Sequence, residues 1–335
     1  MKRAVSVVLI LISASFSLLA SPAVWDYDGD GKTDLVIRRI INEANQWFIL
    51  KSRDGFYTIN WGNRVLGSYG DGQIPGDYDG DGKWDIAVTR GYDNSPYRYF
   101  FILNSNSNTM TFAQWGLTGD QPMLQDYDGD GKTDIAVYRA TGWWYIINSS
   151  NGGNFRFEKF GESVTGSHQD QPLYGDYDGD GKADLAVARV TGNSFQLPQP
   201  ITFYIQHSSN GTWRSFTMGD RRGDAVVPGD YDGDGNTDLA LWGGKNIEFG
   251  DGRWRWIRSS DGQFVSVRFG FPGDDAVPGD YDGDGKTDYA VYRRGPSNNS
   301  QNYFYIQGST MGFKAIAWGN SVYFDDTPMS SRNYN

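Results

Sequence analysis

The fold is decided by the stretch Asp26-Tyr27-Asp28-Gly29-Asp30-Gly31-Lys32-Thr33-Asp34. Close copies of this nonapeptide recur about every 50 residues along the chain. A self-similar unit of this length is typical of a propeller, a solenoid or an array of repeats. The 335 residues are therefore expected to form one repeat domain, although length alone would allow two domains. The six copies begin at Asp26, Asp77, Asp126, Asp176, Asp230 and Asp280.

Each copy places acidic side chains at loop positions 1, 3, 5 and 9. Four carboxylates in nine residues would repel one another in an empty loop, and they suit a hard divalent cation that takes about six to eight oxygen ligands. Position 7 is expected to contribute only its backbone carbonyl, and the glycine at position 6 allows the positive φ of a sharp turn. We predict Ca²⁺ rather than Mg²⁺, about six ions in all, because all-protein oxygen cages suit the larger ion.

The predicted metal ligands are Asp26, Asp28, Asp30, Lys32 and Asp34; Asp77, Asp79, Asp81, Lys83 and Asp85; Asp126, Asp128, Asp130, Lys132 and Asp134; Asp176, Asp178, Asp180, Lys182 and Asp184; Asp230, Asp232, Asp234, Asn236 and Asp238; Asp280, Asp282, Asp284, Lys286 and Asp288.

The residues after each loop favour a strand over a helix. The EF-hand glutamate at position 12 is replaced by an apolar residue such as Val137, so a helical EF-hand is disfavoured. A short apolar run follows each loop, as in Ile135-Ala136-Val137. Six plain hairpin turns remain the alternative to metal loops, but six copies at one period favour metal loops.

Each repeat reads as four short antiparallel strands, which is the pattern of a propeller blade. In the third repeat the loop is followed by Ile135-Ala136-Val137, by the aromatic run Trp143-Trp144-Tyr145-Ile146, by a polar turn and by a strand ending in Phe160-Gly161. The segment before the next loop supplies the innermost strand of the next blade. The sequence therefore predicts an all-β chain folded as a single β-propeller of six four-stranded blades, each with one calcium loop.

The two ends of the chain indicate how the ring closes. The first loop lacks the aspartate that stands six residues before the other loops, because Ala20 occupies that position. The missing element recurs near the C-terminus, where Asp326-Thr327-Pro328-Met329 matches Asp120-Gln121-Pro122-Met123. The C-terminal tail, residues 320–335, is therefore expected to close the ring against the first blade.

An aspartate before the loop and an arginine after it recur through the repeats. One interpretation is that they form ion pairs between blades. The other is that they form a ring of shallow ligand sites, of which Trp115, Asp120 and Arg139 are one set. The fifth repeat departs, with Gly243 in place of the arginine and Met218 in place of the preceding aromatic residue. The recurring aspartates are Asp71, Asp120, Asp170, Asp224 and Asp274, and the arginines are Arg39, Arg90, Arg139, Arg189 and Arg293.

Tryptophans alternate with arginines in the fifth repeat. Alternation along a strand sends Trp254 and Trp256 to one face and Arg253 and Arg255 to the other. We interpret this segment as core on one face and solvated surface on the other.

Residues 1–20 read as a secretory signal peptide. Lys2 and Arg3 precede an apolar run, and small residues lead to Ala20, so cleavage is expected near Ala20 or as late as Ala23. The mature repeat domain would then be 21–335. Export to the periplasm, the cell surface or the medium is predicted, with no membrane span after the leader is removed.

The formal net charge is −11, and six bound Ca²⁺ ions would nearly cancel it. The acidity is therefore interpreted as metal sites rather than as a surface for a basic partner. The sequence has no basic stripe, which argues against nucleic-acid binding, and no cysteine, which excludes disulfides.

These motifs resemble bacterial FG-GAP/VCBS-type repeats, which are similar to the calcium-binding blades of integrin α-chain propellers. The resemblance rests on the loop Asp-x-Asp-Gly-Asp-Gly-x-x-Asp, on the apolar-Ala-Val that follows it, and on a preceding Pro-Gly-Asp-Tyr such as Pro278-Gly279-Asp280-Tyr281. It covers nearly all of residues 21–329 and implies a secreted propeller with a calcium loop between the first two strands of each blade. Such domains serve adhesion or recognition, and some relatives are lectins. Since the family more often has seven blades, seven is the alternative to six.

Three functions are considered. The first is a monomeric recognition or adhesion module that binds a carbohydrate or a cell-surface protein. The second is a purely structural extracellular module. The third is a polysaccharide-active hydrolase or lyase, which would need two positioned carboxylates outside the loops. We predict no enzymatic activity, because the two histidines, His168 and His207, each occur in a single repeat. The non-repeating acids that an enzyme would draw on are Glu43, Glu158, Glu162 and Glu248.

Overall fold

A computed structural model describes residues 23–63, 71–92, 95–150, 152–162, 170–190, 199–244, 248, 250–297, 299–320 and 326–329. These residues form six four-stranded antiparallel sheets and no helix, so the chain is an all-β propeller of six blades. A helix able to cross a bilayer is accordingly not found in the described ranges. The predicted leader, His168 and most of the C-terminal tail lie outside them.

The strands, in chain order, have these bounds. Blade one has β1 (Leu35–Ile41), β2 (Ala44–Lys51) and β3 (Gly55–Asn63), with β24 (Thr327–Pro328) as its inner strand. Blade two has β4 (Gly72–Gln73), β5 (Ile86–Tyr92), β6 (Ser95–Leu103) and β7 (Met110–Leu117); blade three has β8 (Gln121–Gln125), β9 (Asp134–Arg139), β10 (Trp143–Ile147) and β11 (Phe155–Lys159). Blade four has β12 (Gln171–Leu173), β13 (Leu185–Val190), β14 (Ile201–Gln206) and β15 (Trp213–Met218). Blade five has β16 (Ala225–Val226), β17 (Leu239–Trp242), β18 (Arg253–Ile257) and β19 (Phe264–Arg268); blade six has β20 (Asp275–Ala276), β21 (Tyr289–Arg293), β22 (Gln301–Gly308) and β23 (Gly312–Asn320).

The third strand of each blade alternates between a buried and a more exposed face. In β18 Trp254 and Trp256 are buried, whereas Arg253 is exposed and Arg255 is half-buried. The tryptophans therefore lie in the core, as the alternation predicts, and the arginines point away from it. Aromatic residues suit this position because their large flat side chains fill the space between two sheets.

The hydrophobic core lies between neighbouring blades. One cluster joins Met123, Trp144 and Ile146 of blade three to Leu185 and Val187 of blade four. Equivalent clusters join blades one and two, and blades six and one. A single blade therefore buries its apolar faces only against its neighbours, which is the physical basis of a repeat fold.

The C-terminal segment completes blade one. Strand β24 pairs with β1 through Ile37 opposite Pro328 and Arg38 opposite Thr327. The backbone N–H of Met329 donates to the carbonyl of Val36 at 3.0 Å, and the Met329 side chain packs in the core of blades one and two. The first blade thus takes its inner strand from the far end of the chain.

A second ring of contacts joins the six acidic loops. The backbone N–H at position 8 of each loop donates to the position 1 carbonyl of the preceding loop, at 2.6–2.7 Å. The bond from Thr33 to Asp280 links the first loop to the last and closes the circle. The six donor–acceptor pairs are Trp84 to Asp26, Thr133 to Asp77, Ala183 to Asp126, Thr237 to Asp176, Thr287 to Asp230 and Thr33 to Asp280.

Candidate metal centres

In blades two to six the acidic loop connects the inner strand to the second strand, and in blade one it precedes β1. The position 1 aspartate organises each loop. In the first loop Asp26 Oδ1 accepts the N–H of Gly29 at 2.6 Å, and its Oδ2 accepts the N–H of Gly31 at 2.8 Å. All six loops have this pair of bonds. Both glycines have positive φ, at 72° and 82° in the first loop, a backbone conformation that glycine adopts without strain.

The position 9 aspartate is buried and braces the loop from behind. Asp34 Oδ2 accepts the N–H of Tyr27 at 2.8 Å, and its Oδ1 accepts the N–H of Ser52 at 2.7 Å. Ser52 lies in the turn between the third and fourth strands, and its hydroxyl donates to Asp30 Oδ2 at 2.7 Å. A serine performs both tasks in every blade: Ser52, Ser105, Ser149, Ser208, Ser259 and Ser309. Sequence reasoning missed this serine, although its recurrence at a fixed place after the aromatic run is visible.

Burial makes the negative charge of these carboxylates costly. Burial, with a smaller contribution from the charges of the neighbouring loop aspartates, raises the pKa of Asp34 and of Asp288 to about 7. Burial likewise raises the pKa of Asp85, Asp134 and Asp238 to about 6. A carboxylate whose pKa is raised in this way is stabilised in its charged form by an adjacent cation.

The donor set fits a divalent metal ion. Asp26, Asp28 and Asp34 each bring one carboxylate oxygen within 4.8 Å of the others, and the loops that begin at Asp77 and Asp126 do the same. At position 3 one oxygen accepts hydrogen bonds from the turn, as Asp28 Oδ2 does from Arg53 and Asp54. Among the residues that the structure describes, the other oxygen is buried without a hydrogen-bond partner in four loops: Asp28, Asp128, Asp178 and Asp282. An orphaned buried carboxylate oxygen is expensive unless a cation coordinates it.

The position 7 side chain packs on the preceding loop and not on its own loop. A Cβ on Gly80 would lie 2.8 Å from Lys132 Cε, and one on Gly29 would lie 3.1 Å from Lys83 Cγ. The lysine stem therefore covers the position 4 glycine of the preceding loop, and a larger residue there would displace it.

The recurring aspartate and arginine form ion pairs within a blade, so the prediction of pairs between blades was wrong. Arg139 on β9 donates from Nε and Nη2 to the two oxygens of Asp120, both at 2.8 Å, and Asp120 leads into β8 of the same sheet. The reason is the antiparallel pairing of inner and second strands, which places these two residues side by side. The same bidentate geometry joins Arg39 to Asp326, Arg90 to Asp71, Arg189 to Asp170 and Arg293 to Asp274.

The same aspartate does link adjacent blades, but through a backbone hydrogen bond. Asp120 Oδ2 accepts the N–H of Leu117, which ends β7 of blade two, at 2.8 Å. Gly116 stands just before that contact with φ of 80°, and a Cβ there would lie 2.9 Å from Val137. The glycine of the aromatic-Gly motif is therefore needed both for its backbone conformation and for the close approach of two blades.

Blade five replaces its missing arginine from a different strand. Arg255 on β18 donates from Nη1 to Asp224 Oδ1 at 3.0 Å, and it also pairs with Asp251. In the other blades the position of Arg255 holds an aromatic residue under the guanidinium, such as Tyr145, whose ring centroid is 4.4 Å from Arg139 Cζ. The sequence does carry a signal for this replacement, because Arg255 occupies a position that is aromatic in the other five blades. Strand alternation alone placed Arg255 on the solvated face and did not indicate its partner.

The structure places only two members of the predicted set Trp115, Asp120 and Arg139 at one surface site. Trp115 and Arg139 line a shallow groove of about 350 Å³ between blades two and three, together with Tyr97 and Tyr145. Asp120 is not among the groove-lining residues. It is buried, and its oxygens accept the bonds from Arg139 and Leu117.

Comparison with known proteins bears on the repeats. A family model described as an FG-GAP-like repeat matches residues 126–187, 176–241 and 230–291. A search of curated proteins found no match. Among solved structures, the chain is similar to the crystal structure of Saccharomyces cerevisiae Sqt1, with 12% identity and a TM-score of 0.41 over 83% of this chain and 67% of that one. The three matched repeats and the six equivalent blades show that the chain is an FG-GAP-repeat β-propeller protein.

Proposed function

We propose that this protein is a secreted, Ca²⁺-loaded recognition module, not an enzyme, whose six blades bind a repetitive glycan. The FG-GAP-type propeller supports an interaction or adhesion module at the coarser level. The leader-like residues 1–20 support export, and the oxygen-rich loops support calcium, which is plentiful outside the cell. The acids Glu158 and Glu162, which an enzyme would draw on, are paired with Arg156 and Arg189.

The observation that carries the glycan proposal is a ring of exposed apolar side chains at one register. Each outer strand has such a residue in its first or second place, opposite the same position of the third strand. We call these six the rim residues: Phe56, Met110, Phe155, Trp213, Phe264 and Phe313, with 57–65% of each exposed. Spaced singly around a ring, they are suited to a ligand that repeats as the blades do.

Three rim residues contact the aromatic residue that ends the preceding blade. Phe155 lies 5.6 Å from Trp115 between ring centroids, Phe56 lies 5.5 Å from Trp318, and Phe313 lies 6.4 Å from Phe269. Each pair forms an aromatic surface at a junction between blades. A flat aromatic face can cover the apolar side of a sugar ring, and the nearby Tyr97 and Arg139 of the groove offer polar groups to its hydroxyls.

The test is binding of the mature, Ca²⁺-loaded protein to a glycan array, followed by titration with the best polysaccharide and with its isolated repeat unit. The polysaccharide should bind much more tightly than the repeat unit, since six weak sites act together. Phe155→Ala should weaken binding, whereas Phe157→Ala should not. Phe157 is a matched control because it is equally exposed on the same strand but contacts Trp143 of its own blade. Retention of no glycan, with capture of a defined surface protein, would instead favour protein recognition.

A further inference from the structure

The fourth loop differs from the other five in the residue before Ser208, the serine that donates hydrogen bonds to the loop aspartates. His207 occupies this place, and its Nδ1 lies 3.4 Å from Asp178 Oδ2 and 3.5 Å from Asp184 Oδ2. Nδ1 is closed off from solvent and has no hydrogen-bond partner within the described part of the chain. The imidazole nitrogen and two carboxylate oxygens thus converge at one point. Asp178 Oδ2 also accepts the Ser209 hydroxyl at 2.6 Å, and Asp184 Oδ2 accepts the N–H of Tyr177 at 2.8 Å, and each oxygen keeps a further lone pair for a cation.

The backbone holds the imidazole in this place. The His207 N–H donates to the carbonyl of Thr212 at 2.8 Å, and its own carbonyl accepts the N–H of Gly211 at 2.8 Å. The next residue, Ser208, donates its N–H to Asp184 Oδ1 at 2.7 Å. The ligand atoms are therefore presented by a hydrogen-bonded turn and a braced loop, which is the preorganisation that a metal site requires.

The separations suit ligands of one metal ion better than hydrogen-bonded partners. Bonds of about 2.0–2.1 Å that meet at a tetrahedral angle place ligand atoms about 3.3 Å apart. In the tautomer that leaves Nδ1 unprotonated, its lone pair faces two carboxylates, and a cation between the three atoms removes the repulsion. The second oxygen of Asp178 is also buried and unpartnered, so the cluster has coordination capacity left.

The nitrogen changes which ion the loop prefers. Oxygen-only sites suit Ca²⁺ and Mg²⁺, whereas an imidazole ligand favours Zn²⁺ and neighbouring transition metals. No other loop has a histidine at this place. The equivalent residues are Lys51, Asn104, Asn148, Arg258 and Gly308.

We propose that the fourth loop is a transition-metal site in which His207 Nδ1, Asp178 and Asp184 coordinate a Zn²⁺-like ion. Asp178 also belongs to the acidic set of that loop with Asp176 and Asp180. The transition metal therefore competes with Ca²⁺ at this loop alone, and the propeller carries two kinds of metal site.

Zn²⁺ binding to the metal-stripped protein, followed with a chromophoric chelator in millimolar Ca²⁺, tests this site. The wild type should retain one equivalent of Zn²⁺. His207→Asn, which installs the residue that blade three has at this place, should lower that affinity at least about tenfold and leave the Ca²⁺-loaded melting temperature unchanged. Asn148→His should add a second Zn²⁺ equivalent at the third loop.

Imidazole NMR gives a second readout that does not depend on fold stability. A His168→Gln variant leaves His207 as the single histidine of the chain, and its ring resonances should shift and saturate at one equivalent of Zn²⁺. Unchanged ring resonances, or equal Zn²⁺ retention by wild type and His207→Asn, would overturn the proposal.

Discussion

At the scale of single residues, blade five shows that an interaction that recurs in every blade need not come from a fixed position. Asp224 is buried like its counterparts, and burial raises the pKa of its carboxyl. Arg255 reaches it from the third strand because Gly243 leaves room. A Cβ on Gly243 would lie 2.8 Å from Arg255 Nη1. The ion pair is preserved, but its arginine comes from the third strand instead of the second.

Arg255→Ala is therefore expected to destabilise the protein by about 2 kcal/mol, because it leaves Asp224 buried without its cation. Arg253→Ala is the matched control two residues away. Its side chain is 45% exposed, so its effect should stay within about 0.5 kcal/mol. Chemical denaturation of both variants in Ca²⁺ measures the two free energies of unfolding. Equal values would show that Arg255 does not stabilise the buried Asp224.

The position 9 aspartates give a prediction for pH. Since burial raises the pKa of Asp34 and Asp288 to about 7, the metal-free fold keeps protons that the unfolded chain releases near its ordinary value of 3.8. The folded state binds more protons in this window, so the free energy of unfolding of the metal-free protein should fall as pH rises from about 4 to about 7. The Ca²⁺-loaded protein should show the opposite trend, because acid displaces the ion. Thermal melts of both forms across this window decide the point, and parallel pH curves would contradict it.

At the scale of elements, neighbouring loops are matched in size where they touch. The residue before one loop meets position 8 of the next. A Cβ on Gly229 would lie 2.7 Å from Thr287 Oγ1, whereas the tilted rings of Trp25 and Trp84 pack together with centroids 5.0 Å apart. Glycine faces threonine, and tryptophan faces tryptophan. The successive pairs, in chain order, are Trp25 with Trp84, Gly76 with Thr133, Gln125 with Ala183, Gly175 with Thr237, Gly229 with Thr287 and Gly279 with Thr33.

The matched sizes predict that a second substitution can restore the stability that a first one removes. Gly229→Gln should cost about 1–3 kcal/mol by overpacking against Thr287. Adding Thr287→Ala recreates the Gln125 and Ala183 pair of the third and fourth loops and should recover most of the loss. Denaturation of the two single variants and the double variant gives the coupling energy. A double variant no more stable than Gly229→Gln would show that the loops are not matched in this way.

At the scale of the whole molecule, two separate sets of contacts close the ring of blades. One is the strand pairing of β24 with β1, and the other is the circle of loop hydrogen bonds that Thr33 and Asp280 complete. Apolar clusters also join blade one to blade two and blade six to blade one. An open ring would therefore expose an apolar blade face as well as a strand edge.

A chain that ends at Asn320 should lose the inner strand of blade one and leave Arg39 without Asp326. Its free energy of unfolding should be lower by at least about 3 kcal/mol. It should also self-associate through the unpaired β1 edge. A chain that ends at Met329 retains β24 and is the control. Sedimentation and melting of the two chains measure the difference, and a stable monomeric chain ending at Asn320 would argue against closure by the tail.

Calcium is expected to stabilise the whole ring. At a free concentration about ten times the Kd, each site adds about 1.4 kcal/mol by linkage, and six independent sites add about 8 kcal/mol. Asp130→Ala should remove one site's share. Melting with and without chelator, with metal content measured, provides the test. A melting temperature that does not respond to verified metal removal would contradict a structural role for the ion.

The sequence by itself determined the repeat, the six blades, the strand order within a blade and the acidic loops. These features depend on short-range order: side-chain alternation along a strand, glycine at positive-φ positions of a nine-residue loop, and a period that repeats both. The matching of Asp326 to Asp120 also pointed to the closing strand, because an incomplete repeat at one end needs its complement at the other.

Only the tertiary structure decided which side chains meet across strands and blades. It placed the Asp120–Arg139 pair within a blade and paired Asp224 with Arg255. It also joined the loops through Thr33 and its equivalents and placed His207 beside the fourth loop. The physical reason is that these contacts depend on strand register and on the angle between packed sheets, which arise from the packing of the whole ring. Arg39 and Asp326 are 287 residues apart in the chain, and only closure of that ring makes them neighbours.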